Sequence, residues 1–205
     1  IKYSGNLAED LNKELKNGAY WANQFDNTAN RQAHIETTGP EIWDQTNGTI
    51  DGFICAIGTG GTLSGVGAYL KSKNKGISIG LADPMGANMY SFFKTGELKS
   101  EGSSITEGIG QGRITENIKD MSLDIPFRVN DSEALNILYN LIEEEGLFLG
   151  LSSGINIAGA KKLAKSLGKD KTIVTILCDS ANRYQNKMFN AGFLEENNLP
   201  IPDWL

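Results

Sequence analysis

A glycine-rich segment offers the clearest chemistry in this sequence, and it directly follows an apolar run at residues 52–57: Gly58, Thr59, Gly60, Gly61 and Thr62. Because glycine has no Cβ, successive backbone N–H groups can point toward one place, and a helix that begins there adds partial positive charge. The two threonine hydroxyls are further donors. The segment contains no Lys or Arg. These features predict a site that binds a phosphate group through backbone dipoles and hydroxyl groups.

Two other interpretations of this segment remain. A glycine-rich turn between a strand and a helix needs no ligand, so a purely structural role is the first alternative. A dinucleotide site is the second, because residues 58–60 follow an apolar run and Asp83 ends the next one. Leu63 argues against that site, since the third small residue of the dinucleotide fingerprint should stand there. The segment is not a nucleotide-hydrolase phosphate loop, because the Gly-Lys-Ser/Thr ending is missing.

Two adjacent serines, Ser152 and Ser153, stand between glycines and precede a run of small residues. We expect one serine of the pair to cap the start of a helix, and we assign that role mainly to Ser153. The hydroxyl of Ser152 is then free to face a ring nitrogen of a ligand. The plainer alternative assigns the pair to helix capping alone.

Gln24 lies just after the short apolar run at residues 19–22, which we predict to be a strand. Ligands of open parallel sheets bind beyond the carboxyl ends of the strands, so Gln24 occupies a suitable position to contact one. The polar residues around it could instead form Asx turns or cap the next helix. That explanation suits Asn27 and Asn30 better than Gln24.

Other kinds of catalytic site lack their components. His34 is the only histidine in the sequence and falls inside a predicted helix, so we expect it to have a structural role. With one histidine and two distant cysteines, Cys55 and Cys178, neither an ordinary zinc site nor an iron–sulfur site can be assembled. We therefore predict no metal site.

The elements that must position these residues follow from apolar runs and amphipathic stretches. The apolar runs predict strands at residues 19–22, 52–57, 77–82 and 172–177. The stretches between them predict helices at residues 6–16, 30–45, 62–72, 131–145 and 153–167. Residues 94–124 are rich in Gly and Ser and predict long loops of the kind that often line active sites. The pattern is typical of an α/β fold, here a doubly wound, mainly parallel sheet with helices on both faces.

Composition narrows the class of protein further. The chain has 205 residues, of which 40% are hydrophobic and 21% charged, a balance typical of folded globular proteins. Its formal net charge of −6 would repel polyanions, so we expect no nucleic-acid partner. No apolar run reaches the roughly 20 residues that span a bilayer, and the first residues do not resemble a signal peptide. We therefore expect no membrane partner and a cytoplasmic location.

Four motifs in series resemble the cysteine synthase family, the O-acetylserine sulfhydrylase branch of fold-type II pyridoxal-phosphate enzymes. The motifs are the glycine-rich segment, the stretch from Gln24 to Asn27 with Asn30, Glu107-Gly108-Ile109-Gly110-Gln111-Gly112, and Gly150-Leu151-Ser152-Ser153-Gly154. The resemblance covers essentially the whole chain. It implies a homodimeric enzyme that uses pyridoxal 5′-phosphate to convert O-acetylserine and sulfide to cysteine and acetate by β-replacement.

The resemblance also implies roles for individual residues. Residues 58–62 would bind the cofactor phosphate, and Ser152 would hydrogen-bond the pyridine nitrogen. Gln24 would bind the α-carboxylate of the substrate, and Gly108 would border the cleft. A serine hydroxyl does not enforce a protonated ring nitrogen, which favours β-elimination over deeper carbanion chemistry.

One residue that the resemblance implies has no counterpart in the sequence. The family's Schiff-base lysine belongs to a segment that should precede Ile1, and none of the fifteen lysines stands in a matching context. We therefore expect residues 1–205 alone to lack turnover, with no catalytic lysine among them. In this interpretation residues 1–18 are a remnant of a smaller N-terminal subdomain and residues 19–205 form the large phosphate-binding domain. Cystathionine β-synthase, serine or threonine dehydratase, and a non-catalytic binding or scaffold module remain as alternatives.

Overall fold

Four parallel strands form the centre of the fold in the computed structural model, which describes residues 2–205. They are β1 (Gly52–Cys55), β2 (Ser78–Pro84), β3 (Ile125–Val129) and β4 (Ile173–Thr175). The order across the sheet is β3-β2-β1-β4, and each neighbouring pair is parallel. In the register, Phe53 of β1 pairs with Ile79 of β2 and with Val174 of β4.

Helices connect and cover these strands. In the described part of the chain they are α1 (Lys2–Glu14), α2 (Ala29–Glu36), α3 (Thr38–Gln45), α4 (Gly61–Lys73), α5 (Met89–Thr95), α6 (Asp131–Glu145), α7 (Leu151–Leu167), α8 (Gln185–Met188) and α9 (Ala191–Glu196). A 3-10 helix (Ala181–Tyr184) precedes α8. No helix among residues 2–205 is long and apolar enough to span a membrane.

The central strands are buried on both faces, and their side chains alternate between two cores. Phe53 and Cys55 of β1 pack with Leu63 of α4 in one core. Ile54, between them, packs with Ile155 of α7 in the other core. Because both faces are covered, β1 is a continuous apolar run rather than an alternating one. The prediction of helices on both faces is confirmed.

Small residues allow α7 to lie close to the sheet. A Cβ on Gly159 would stand 2.5 Å from the Cβ of Ala82, and a Cβ on Gly80 would stand 2.9 Å from Cδ1 of Ile54. Larger residues at positions 80 and 159 would push α7 outward. The glycines therefore fix where the first turn of α7, which contains Ser152, stands relative to the strand ends.

The strand order reverses between β1 and β4. From β1 the chain proceeds to β2 and β3 on one side, and it returns to place β4 on the other side of β1. In open α/β sheets ligands bind beyond the carboxyl ends of the strands at such a reversal. Residues 56–61, after β1, and residues 176–180, after β4, therefore border the expected ligand position.

Most predicted elements are confirmed, with ends shifted by a few residues. The strands predicted at 52–57, 77–82 and 172–177 correspond to β1, β2 and β4. The helices predicted at 6–16, 62–72, 131–145 and 153–167 correspond to α1, α4, α6 and α7. Residues 96–124 contain neither helix nor strand, which agrees with the predicted loops.

The strand predicted at residues 19–22 is wrong. These residues have no strand partner within the described range, and side chains bind their backbone instead. Ala19 N donates to Oδ1 of Asn12 at 3.1 Å, and Asn27 Nδ2 donates to the Ala22 carbonyl at 3.2 Å. A strand requires a neighbouring strand for its hydrogen bonds, and residues 19–22 lie away from the sheet.

The helix predicted at residues 30–45 is two helices that meet at Thr37, whose φ of −125° and ψ of −71° are not helical. Pro40 explains the break, because it has no N–H to bond the carbonyl of Glu36 and its ring clashes with that carbonyl. Strand β3 was not predicted from the sequence. That strand lies at the edge of the sheet, contains Pro126 and is mostly half-buried, so its apolar signal is weak.

Candidate functional site

The glycine loop (residues 58–62) connects β1 to α4, and its glycines are required by close contacts. Gly60 precedes α4 with φ of +89°, and a Cβ there would lie 2.0 Å from Cγ2 of Ile118. A Cβ on Gly58 would lie 2.5 Å from the carbonyl oxygen of Gly108. Packing therefore holds the loop in one conformation. Its shape and the first N–H groups of α4, which lack helical partners, form a cradle for an anion.

The two threonine hydroxyls of the glycine loop are held by neighbouring side chains. Oγ1 of Thr59 accepts hydrogen bonds from Asn30 Nδ2 at 3.0 Å and from Gly61 N at 3.3 Å. Both of its lone pairs are then engaged, which leaves the Thr59 O–H as a donor for a ligand. Oγ1 of Thr62 lies 3.2 Å from Nε2 of His34.

His34 connects the glycine loop to α3, and its position in the sequence does not indicate this contact. Its Nδ1 lies 2.9 Å from Oγ1 of Thr38, while its Nε2 contacts Thr62. Burial lowers the pKa of His34 below its ordinary value, so the ring is neutral near pH 7. The expected structural role of His34 therefore includes positioning Thr62, which belongs to the candidate phosphate site.

The cleft segment (residues 107–112) lies against the glycine loop. Gln111 Nε2 donates to the Gly58 carbonyl at 3.0 Å, and Gly110 N donates to the Ile57 carbonyl at 3.0 Å. The chain just before this segment is anchored by the carboxylate of Asp131, which accepts bonds from Ser104 Oγ at 2.5 Å and from Ile105 N at 2.8 Å. The cleft segment is therefore fixed at both ends although it has no regular structure.

The glutamine loop (residues 23–27) holds Gln24 at the opposite side of the glycine loop. The Gln24 carbonyl accepts bonds from Asn30 Nδ2 at 2.8 Å and from Asn117 Nδ2 at 3.1 Å. The Gln24 side chain is exposed. Arg113 binds Asp26 at 2.8 Å, and this bond holds the pKa of Asp26 below its ordinary value. The backbone of the loop is thus well anchored, whereas the Gln24 amide is free to meet a ligand.

Ser152 and Ser153 occupy the first turn of α7, and the capping prediction is wrong. The N-cap residue is Gly150, and no side chain caps the helix. Because Leu151 is already helical, both serines lie inside the helix. Ser153 Oγ instead accepts a bond from Cys178 N at 3.0 Å, which ties α7 to the chain after β4. Ser152 is buried but lines a cavity of about 220 Å³ together with Gly108.

Three cavities that share lining residues, here together called the cleft, are lined by four of the predicted site residues: Gln24, Gly58, Gly108 and Ser152. The first, of about 290 Å³, is lined by Gln24 and Phe25. The second, of about 150 Å³, is lined by Phe25, Gly58 and Gly108. The third contains Ser152 and shares Gly108 with the second. Gln24 and Ser152, which are 128 positions apart in sequence, therefore line the two outer cavities, and Phe25 and Gly108 link these to the middle one.

Some residues that build the site could not be found in the sequence. Asn117 and Thr115 fix the glutamine and glycine loops, since Thr115 Oγ1 donates to the Thr59 carbonyl at 2.7 Å. Both lie in a stretch without hydrophobic periodicity, so nothing in the sequence marks them as site residues. Asp83, considered above as a ribose ligand, is fully buried and accepts a bond from Tyr90 N at 2.7 Å. It does not line the cleft.

The chain belongs to the family of pyridoxal-phosphate dependent enzymes, whose sequence profile matches residues 2–179. Its relatives include cysteine synthase 1 of Neurospora crassa, 50% identical over 199 residues that make up 94% of this chain and 53% of that protein. The cysteine synthase of Dictyostelium discoideum is 43% identical over 195 residues, 90% of this chain and 52% of that protein. The family predicted from the sequence is confirmed.

A solved structure has the same fold. The crystal structure of an O-acetylserine dependent cystathionine β-synthase from Helicobacter pylori matches with a TM-score of 0.80 at 30% identity, covering 91% of this chain and 57% of that chain. The predicted α/β fold is confirmed. This chain spans about half the length of the curated relatives that it matches.

The residues of the cleft fit the family's cofactor, pyridoxal 5′-phosphate. The glycine loop is a cradle in which a Cβ would collide with neighbouring chain, and it offers a free Thr59 O–H. Ser152 lines the same cleft, and a serine hydroxyl can donate a hydrogen bond to a ring nitrogen. Within residues 2–205 no group of three or more His, Cys, Asp or Glu side chains is arranged to bind a metal ion.

Proposed function

We propose that this chain is part of a cysteine synthase, which converts O-acetylserine and sulfide to cysteine and acetate. The observation that carries the proposal is the cleft that joins Gly58 of the glycine loop to the exposed Gln24 and to Ser152. Relatives at 50% and 43% identity that are named cysteine synthase support it. The two ends of such a substrate, a carboxylate and a leaving group, must be bound on either side of the reacting carbon.

The cofactor supplies an electron sink that stabilises negative charge on the α-carbon of an amino acid. In our proposal the glycine loop binds its phosphate through Gly58, Thr59, Gly60, Gly61 and Thr62. Ser152 donates a neutral hydrogen bond at the ring nitrogen without forcing that nitrogen to be protonated. Gln24 binds the α-carboxylate of the substrate, and Gly108 forms the wall of the cleft between Gly58 and Ser152.

The test is an assay of the full-length protein with pyridoxal phosphate, O-acetylserine and sulfide. We expect cysteine and acetate in equal amounts. Gln24→Ala should raise KM for O-acetylserine, since a hydrogen bond from a side-chain amide to a charged carboxylate contributes about 1.5–3 kcal/mol. Cofactor binding without turnover on any amino acid would instead favour a non-catalytic binding module.

Cystathionine synthesis is the second candidate, because a solved structure that shares the fold is that of an O-acetylserine dependent cystathionine β-synthase. Sulfide and homocysteine differ greatly in size, so the width of the cleft decides between them. Competition between the two nucleophiles at equal concentration measures that choice as a ratio of kcat/KM values. Conversion of serine to a 2-oxo acid and ammonia, with no added nucleophile, would indicate a dehydratase.

The remaining features of the proposal concern the whole protein. We propose a homodimer in the cytoplasm, with residues 1–18 belonging to a smaller subdomain and residues 19–205 to the cofactor-binding domain. The net charge of −6 supports the absence of a nucleic-acid partner. Light scattering of the full-length protein measures its oligomeric state, and fluorescence tagging of the natural protein shows its location.

A further inference from the structure

We propose that Asn30 is a positioning residue that couples phosphate binding in the glycine loop to the conformation of the glutamine loop. The proposal rests on the function proposed above, because it takes the two loops to be the phosphate and carboxylate sites of one ligand complex. Asn30 lies in the first turn of α2, half-buried between them.

The geometry of Asn30 links the two loops through a single amide nitrogen. Nδ2 has two hydrogens, and it donates to the Gln24 carbonyl at 2.8 Å and to Thr59 Oγ1 at 3.0 Å. Both of its donor positions are therefore used, one on each loop. The amide oxygen Oδ1 packs against Gly61 of the glycine loop, where an added Cβ would lie only 2.0 Å from it.

The hydrogen bonds around Thr59 explain how a bound phosphate would act on this link. Thr59 Oγ1 accepts from Asn30 and from Gly61 N, so its own O–H is the group left to bind a phosphate oxygen. A charged acceptor on that O–H polarises the hydroxyl and strengthens the bonds that it accepts. Phosphate in the cradle therefore tightens the bond to Asn30, and through the same amide it orders the Gln24 backbone.

The effect must be reciprocal. If phosphate stabilises the Gln24 conformation that binds a carboxylate, a carboxylate at Gln24 raises the phosphate affinity by the same factor. This arrangement would favour binding of an amino acid to the protein that already holds its cofactor. Asn117 also donates to the Gln24 carbonyl, but its other bonds go to Phe25 and Arg31 rather than to the glycine loop.

Asn27 provides a matched control in the same part of the chain. Its side chain also makes two hydrogen bonds, to the Ala22 carbonyl at 3.2 Å and from Ala29 N at 3.0 Å. Neither bond reaches the glycine loop. Asn27→Ala therefore removes an asparagine that anchors the glutamine loop without cutting the proposed link, whereas Asn30→Ala cuts it.

The experiment is hydrogen exchange of residues 20–28 in the full-length protein, with and without added pyridoxal phosphate. In the wild type and in Asn27→Ala we expect the cofactor to slow exchange by at least about fivefold, the lower end of usual coupling factors. In Asn30→Ala the cofactor still binds, but we expect exchange of these residues to stay unchanged. Slowing in Asn30→Ala equal to that of the wild type would overturn the proposal.

Two further variants keep the test decisive if Asn30→Ala does not fold. Thr59→Ser keeps the hydroxyl and should preserve the slowing, whereas Thr59→Val removes the hydroxyl and should abolish it at saturating cofactor. Turnover gives a second measurement: Asn30→Ala should raise KM for O-acetylserine by at least about fivefold with little change in kcat. Equal losses in kcat for Asn30→Ala and Asn27→Ala would contradict the coupling and would indicate that either substitution simply makes the glutamine loop less ordered.

Failure of the proposed function would look different. If the cofactor slows exchange in the wild type but not in Asn30→Ala, and no cysteine forms from O-acetylserine, the coupling stands and the assignment of the reaction fails. If cysteine forms normally and Asn30→Ala shows the wild-type slowing, the reaction stands and the coupling fails.

Discussion

The two adjacent serines of α7 face different neighbours, so their replacement has separable effects. Ser153 Oγ accepts the backbone N–H of Cys178, while Ser152 lines the cleft. We expect Ser153→Ala to lower stability by about 1 kcal/mol, the usual value of one such bond, with the cofactor spectrum unchanged. Ser152→Ala should alter the cofactor absorbance and turnover at nearly the same melting temperature. A spectral change confined to Ser153→Ala would contradict these assignments.

At the same scale, Gly61 tests whether the glycine loop is required for phosphate binding. An alanine there would place its Cβ 2.0 Å from Asn30 Oδ1, and relief of such overpacking costs about 1–3 kcal/mol. We expect Gly61→Ala to weaken binding of pyridoxine 5′-phosphate by roughly tenfold or more, measured by calorimetry.

A matched control for Gly61 lies far from the cleft, in α9. A Cβ on Gly192 would stand 3.5 Å from its nearest neighbour, which is an ordinary contact. Gly192→Ala should therefore stabilise the helix by up to about 1 kcal/mol and leave phosphate binding unchanged. Equal affinities for Gly61→Ala and the wild type would mean that the phosphate does not bind at this loop.

At the scale of elements, the carboxyl end of β2 carries a buried carboxyl group that makes stability depend on pH. Asp83 is fully buried, its Oδ2 accepts a bond from Tyr90 N, and its Oδ1 has no hydrogen-bond partner. Burial raises the pKa of Asp83 to about 7 from an ordinary value of 3.8. The folded protein therefore favours the neutral acid. The contribution of Asp83 to the stability of the folded protein is complete below pH 3.8 and is lost as the pH rises through about 7.

Asp83→Asn removes this titration while keeping a neutral acceptor for Tyr90 N. The wild type should lose up to about 1.4 kcal/mol of stability per pH unit between pH 4 and pH 7 relative to the variant. Urea unfolding of both proteins at several pH values measures that difference. A difference that stays constant with pH would mean that Asp83 titrates normally.

The elements differ in how far the sequence could predict them. The strands β1 and β2 are apolar runs buried on both sides, and β4, although half-buried at an edge of the sheet, lies within the apolar run at residues 172–177. Their composition alone therefore identifies all three. Edge strand β3 has weaker burial, and residues 19–22 are apolar without a partner strand. The glycine loop and Ser152 could be proposed as site residues from the sequence because their residue types suit the chemistry. Asn117 and Thr115 act through partners more than 50 residues away, and the contact of His34 with Thr62 spans 28 residues, so no local pattern in the sequence reports these contacts.

At the scale of the whole molecule, ligand binding at the sheet edge should stabilise the fold as a unit. The glycine loop lies between Ile57 and Leu63, which belong to the core around β1 and α4. Ser152 lies between Leu151 and Ile155, which belong to the two other cores. A ligand in the cleft therefore contacts elements from both faces of the sheet. Binding to the folded state alone stabilises it by about 2.7 kcal/mol at a concentration one hundred times the dissociation constant.

Comparison of two ligands isolates the contribution of the phosphate cradle. Pyridoxine 5′-phosphate and pyridoxine share the same ring, and neither has an aldehyde that could react with lysine side chains. We expect pyridoxine 5′-phosphate to raise the melting temperature of the full-length apoprotein by several degrees, whereas pyridoxine at the same concentration has little effect, because the dipoles of the glycine loop act on the phosphate alone. Gly61→Ala should reduce the shift and Gly192→Ala should preserve it. Equal shifts with both ligands would mean that the ring, held at Ser152, provides the binding energy and that the glycine loop is only a structural turn.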